Sequence, residues 1–139
     1  MTPTSNRGTS VSTPLRIDLK RDVQAPGLAR AAVSDWSLGI DVARARLQTL
    51  VLLVSEVVSN AVLHSKAPPE TAITLTARLE GDMVHVSVSD AGEGFTPRER
   101  DPEHIGDGYG LFLLDKIASR WGVDAEDSTS VWFELPRAG

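Results

Sequence analysis

A chain of 139 residues, 41% hydrophobic and 24% charged, has the size and composition of a single globular domain, which sets aside a disordered or fibrous protein. A formal net charge of −5 lacks the basic footprint of a nucleic-acid binder, so nucleic acid is not expected as a partner. With no cysteine there is no disulfide framework and no thiolate for metal or redox chemistry, which suits a reducing cytoplasm.

Residues 1–14 are rich in Ser, Thr and Pro and have no apolar stretch of the signal-peptide kind, so they read as a disordered tail ahead of one domain spanning 15–136. Leu15, Ile17 and Leu19 alternate with Arg16, Asp18 and Lys20, the period of a half-buried strand, expected at a sheet edge. A helix is expected from Ala25 to Trp36, ending near Gly39. A longer one follows from Asp41, a candidate N-cap, to His64, and Pro68-Pro69 forbids its continuation. Its longest unbroken apolar run, Leu50 to Val54, stops at Ser55 and Glu56, well short of the roughly 20 residues that cross a bilayer, so no membrane segment is expected.

Ile73 to Leu79 and Val84 to Val88 alternate as two strands joined by a hairpin at Gly81-Asp82. Residues 91–108 carry Gly, Pro and mixed charge without period and read as a long loop, a length that usually marks a lid or binding loop. A helical pattern resumes from Leu111 to Ala118, and a closing hairpin starts near Gly122 and puts Val131, Phe133 and Leu135 on one strand face. The tally is an α+β two-layer sandwich, with helices on one face of a mixed, mostly antiparallel sheet of four or five strands.

Three segments carry chemistry. On the long helix, Leu47, Leu50, Val51, Val54, Val58, Ala61 and Val62 form the main apolar stripe, while Glu56, Asn60 and His64 recur every fourth residue on the opposite side, flanked by Leu52, Leu53 and Leu63. A carboxylate in so apolar a setting needs a partner, and a hydrated metal ion or a phosphate would serve. Taken alone, the pattern equally describes a solvated Glu and a helix-packing Asn. Asp90 shares strand parity with Val84, Val86 and Val88, so a carboxylate ends an inward apolar row, and Gly92 and Gly94 follow it. A planar base with an amino group would satisfy that acid. An Asx-turn before glycine is the plainer alternative. Gly106, Gly108 and Gly110 alternate ahead of a helix, a phosphate cradle or a hinge. Thr129 shares its strand face with Val131, Phe133 and Leu135.

In this order the segments resemble the Bergerat-fold GHKL ATPases: Glu56 to His64 is similar to the N-box, Asp90 to Phe95 to the first glycine box, and Gly106 to Leu111, including Tyr109, to the second. Within that superfamily the chain is most similar to the stand-alone anti-sigma regulatory factors, through L-V-S-E-V-V-S-N-A-V-L-H at 53–64, R-W-G-V at 120–123 and T-S-V-W-F-E-L at 129–135. The resemblance implies a Bergerat ATP-binding fold and a protein serine/threonine kinase. Asn60 would hold Mg²⁺, and Glu56 would orient or deprotonate the attacking hydroxyl. Asp90 would bind the adenine amino group with support from Thr129. Gly92, Gly94 and Phe95 would shape the adenine side; Gly106, Gly108, Tyr109, Gly110 and Leu111 would wrap the phosphates of ATP. Arg98 or Arg100 would offset charge on the transferring phosphoryl group, against the alternative of solvated loop arginines. The implied partners are a STAS-type anti-sigma antagonist, a sigma factor, or both, with a homodimer as the implied assembly. A nucleotide-gated binding module without phosphotransfer is the alternative function.

Overall fold

The computed structural model describes residues 13–64, 70–90, 109–125 and 129–138. The chain runs β1 (Leu15–Leu19), α1 (Ala25–Ser37), α2 (Arg44–His64), β2 (Ile73–Glu80), β3 (Met83–Asp90), α3 (Tyr109–Ile117), β4 (Arg120–Ala125) and β5 (Thr129–Pro136). The strands form one five-stranded sheet in the order β1-β2-β3-β5-β4, which leaves β1 at an edge, and every pairing among them is antiparallel. The two-layer α+β reading therefore holds, with a sheet that is antiparallel throughout among the described strands where a mixed one was expected.

Strand alternation decides which face each residue serves. Ile73, Leu75 and Ala77 of β2, Val84, Val86 and Val88 of β3, and Val131, Phe133 and Leu135 of β5 all point inward and are buried. Register locks these rows together, with Ala77 opposite Val86 and Val86 opposite Phe133, so a one-residue slip would expose an entire row. The β2–β3 turn is tight because Gly81 takes a positive φ of 61°, open to glycine at no steric cost.

Helix α1 begins with Pro in its first turn, where a missing N–H costs nothing. Ala25, Ala29, Val33 and Ser37, four residues apart, make its buried face. Helix α2 packs between α1 and α3 and lies on β2, β3 and β5, so its buried arc is wide. Leu50, Leu53, Val54, Val57, Val58 and Ala61 are all buried, whereas Leu52 and Leu63 remain 42% and 73% exposed. The arc is thus rotated from the expected stripe: Leu53 joins the core, and Leu47, Val51 and Val62 are half-buried. Within Arg44–Leu63 the mean hydropathy reaches 1.4 over an 18-residue stretch, and the helix has the length to cross a bilayer, a property that scanning for unbroken apolar runs misses. Here that apolarity is spent on the core of the sandwich.

Asp41 is not an N-cap. Its φ of 58° lies in the left-handed region, whereas a capping residue is extended, and α2 starts at Arg44. The connection is held instead by Arg137, whose backbone carbonyl accepts from Ala43 N (3.1 Å), while its guanidinium donates to Ile40 O (3.2 Å) and Asp82 Oδ1 (3.0 Å). One residue past β5 therefore ties the α1–α2 turn to the β2–β3 hairpin. At the other end of the chain, Trp36 Nε1 donates to Thr13 O at 2.8 Å and fastens the approach to β1 against α1.

Candidate functional site

The inward row of β3 begins as Val84, Val86 and Val88 and ends in Asp90, which is only 4% exposed. Directly opposite, the inward row of β5 begins with Thr129, 2% exposed, so the last rung of the β3–β5 ladder carries a carboxylate and a hydroxyl side by side on the buried face. Neither is left without a partner, as burial of polar groups demands. Beneath α2 this rung closes one end of a narrow recess of about 10 Å³, lined by Val57, Ala61, Val88, Asp90, Thr129 and Val131. Its walls are apolar and its end is polar. The chemistry of that lining, though not its volume, matches a flat apolar body with a hydrogen-bonding edge.

Helix α2 contributes to the same place. Val57 and Ala61 line the recess; Asn60 is 7% exposed, and Glu56, one turn earlier, is half-buried. The side of α2 that holds Asn60 therefore belongs to the interior, not to a solvated face. Of Tyr109, Gly110 and Leu111 only the backbone is described, as the first turn of α3, which packs on α2. Gly92, Gly94, Phe95, Arg98, Arg100, Gly106 and Gly108 lie outside the described residues, as does the side chain of His64. Among the lining residues, sequence reasoning passed over Val57. The available signal was its spacing of four from both Leu53 and Ala61.

The outer face of the same strands holds a different polar group. His85 Nδ1 lies 3.0 Å from Glu134 Oε2, and Arg120 Nη1 lies 3.5 Å from the other oxygen of that carboxylate. The His85 ring stacks on Trp132 at 5.4 Å with an interplanar angle of 15°, and the Arg120 guanidinium sits 5.6 Å from the same indole. On β2, Arg78 hydrogen-bonds Glu80, and chiefly through that bond holds its carboxyl below the usual glutamate range. Ligand-type atoms of Glu80, His85 and Glu134 come within 4.8 Å of one another. Each carboxylate already faces a guanidinium, so the charge closes without a cation. This is a self-satisfied network, distinct from the inward recess.

Residues 19–134 match the family model described as the histidine kinase-like ATPase domain. The chain belongs to that family. The match takes in α2 with Glu56 and Asn60, Asp90 at the end of β3, and Thr129 at the start of β5, and a domain of this family implies a nucleotide site. This histidine kinase-like ATPase domain is also similar in structure to the RsbU and RsbW domains of Rv1364c from Mycobacterium tuberculosis, at 25% identity and a TM-score of 0.70 over 89% of this chain. It spans about a third of that protein's chain, 32%. No curated protein matches it. The motif resemblance to the GHKL superfamily, near its anti-sigma members, agrees with both findings.

Proposed function

We propose that this domain binds Mg-ATP in the recess under α2 and works as an anti-sigma regulatory factor, phosphorylating a serine or threonine of a STAS-type antagonist protein. The observation that carries the reading is the last β3–β5 rung: Asp90 and Thr129, both buried, end an otherwise apolar slot in a chain of the histidine kinase-like ATPase family. An adenine ring fits that chemistry. Its face packs on Val57, Ala61, Val88 and Val131, and its amino group donates to the Asp90 carboxylate with Thr129 alongside.

Asn60 offers an amide oxygen, a hard donor of the kind Mg²⁺ accepts when phosphates supply further ligands. When bound, the ion neutralises charge on the phosphates. Glu56 is placed one turn away and takes the proton from the incoming hydroxyl as its oxygen bonds to the γ-phosphorus and the bond to ADP breaks. The glycine segments at 92–94 and 106–110 surround the nucleotide in this reading. Sequestration of a sigma factor, a homodimeric state and a cytoplasmic location complete the proposal; the RsbU/RsbW neighbour supports a regulatory setting.

The test is transfer of labelled phosphate from Mg-ATP to a purified STAS-type antagonist domain that carries an acceptor Ser or Thr. Phosphoserine or phosphothreonine should form with wild type, while Glu56→Ala should lower the rate by about a hundredfold or more and still bind ATP. Undiminished transfer by Glu56→Ala would remove that residue from the role of base. ATP binding without any transfer would favour the nucleotide-gated binding module.

A further inference from the structure

The rung that ends the recess is backed, on the opposite side of the sheet, by a hydrogen-bonded row. Ser89 and Ser130 are partners in the β3–β5 register, one step in from Asp90 and Thr129, and their hydroxyls meet at 2.6 Å. The row continues across the sheet: Ser89 lies opposite Thr74, and Thr74 Oγ1 donates to Asp18 Oδ1 at 2.9 Å. Both serines are half-buried.

Alternation makes this placement consequential. Residues 89 and 90, and 129 and 130, point to opposite faces, so a clasp on the outer face fixes the separation of the two side chains on the inner face. Asp90 and Thr129 are the final pair of their ladder, and ladder ends open at the lowest free-energy cost. On the outer side the described residue pair next to the terminal rung is Ser89–Ser130, joined by its hydroxyls. The far end of the same two strands has its own outer clasp, His85–Glu134, four residues from Ser89 and remote from the recess.

We propose that Ser89 and Ser130 are positioning residues for the nucleotide site, holding the Asp90–Thr129 rung at the separation that adenine recognition requires. The inference rests on the reading of the recess as an ATP site. Losing either hydroxyl leaves the other half-buried without its mate and frees the rung to open.

Calorimetric titration with ATP and Mg²⁺ tests it on wild type, Ser89→Ala, Ser130→Ala, the double variant, Ser130→Thr and His85→Gln. Either serine-to-alanine change should weaken ATP about three- to tenfold. The double variant should be no weaker than the worse single one, because the pair acts as a unit. Ser130→Thr, which keeps the hydroxyl, should restore affinity, and the Thr129 amide should exchange faster with solvent in Ser130→Ala. His85→Gln, which breaks the remote clasp, should leave affinity unchanged even where it lowers the thermal midpoint. Wild-type affinity in both alanine variants overturns the inference alone, and so does an equal loss in His85→Gln, which would make the effect one of general stability. A wild type that binds no ATP overturns the site reading as well.

Discussion

The two faces of the β3–β5 pair use polar residues in opposite ways. On the outer face, His85, Ser89, Ser130 and Glu134 are each answered by a neighbour on the same sheet, and Arg120 and Arg78 balance the carboxylates. On the inner face, Asp90 and Thr129 sit at the end of rows of valine, leucine and phenylalanine, against a recess walled by apolar side chains. The first arrangement closes within the sheet itself, even at Glu134, which is only 7% exposed and is answered by His85 and Arg120. The second carries the cost of desolvating a carboxylate, which the partners of Asp90 and Thr129 must offset. Polar content alone does not separate a site from a surface; the face on which it stands does.

The change that should break this contrast most clearly is Asp90→Asn. It keeps the shape of the inner-face residue and removes its charge, so a charge-assisted bond to the ligand is lost while the rung stays filled. ATP affinity should fall about ten- to hundredfold, read by calorimetry, with the far-ultraviolet dichroism of the fold unchanged. If the variant binds ATP as wild type does, Asp90 is a strand-ending residue and the inner face loses its special standing.

A smaller effect is expected from the outer face. A Cβ added at Gly122 would approach the Trp132 indole to 2.8 Å, with two further ring atoms at 2.9 Å, so Gly122→Ala must displace the ring on which His85 stacks. The cost should be on the order of 1 kcal/mol of stability, as for other overpacked positions, seen as a lower denaturant midpoint. ATP affinity should not move. Equal damage to stability and to ATP binding would show that the two faces are coupled through Trp132 and not independent.

Much of the inner face was legible from strand parity. The even-numbered row ending in Asp90, and the odd-numbered row containing Thr129, could be assigned inward because β3 and β5 alternate without interruption, and the same regularity placed β1 at the edge. Helix α2 was harder to read. It is apolar nearly all round, so its periodicity is shallow, and whether Leu53 and Val57 or Leu52 and Leu63 face the core depends on how α1, α3 and the sheet flank it. Asp41 misled because a short polar residue ahead of an apolar run satisfies both a helix cap and a left-handed turn, and the choice is made by Arg137, nearly a hundred residues away. The outer network was unreadable for a similar reason. His85 and Glu134 are 49 residues apart, and only the β3–β5 register brings them together.

The smallest effect belongs to Glu80, on the exposed edge of that network. Its carboxyl is held below the ordinary glutamate range, first by the Arg78 hydrogen bond and then by the charges of Arg78, His85 and Arg120. A depressed folded-state value means that the folded chain binds fewer protons than the unfolded one at mildly acid pH. The contribution is therefore present at neutral pH, above the unfolded value, and is lost as pH falls through the folded value. Glu80→Gln should reduce stability slightly at neutral pH, and the difference should disappear once pH has fallen through the folded-state value and the wild-type carboxyl is itself protonated. Added salt should shrink the neutral-pH difference, because the group is fully exposed and its partners are screened. Denaturant titrations of both proteins across that range measure it. A difference that persists at low pH would have to come from packing of the Glu80 stem, and would show that even the rim of the outer face is held by contact more than by charge.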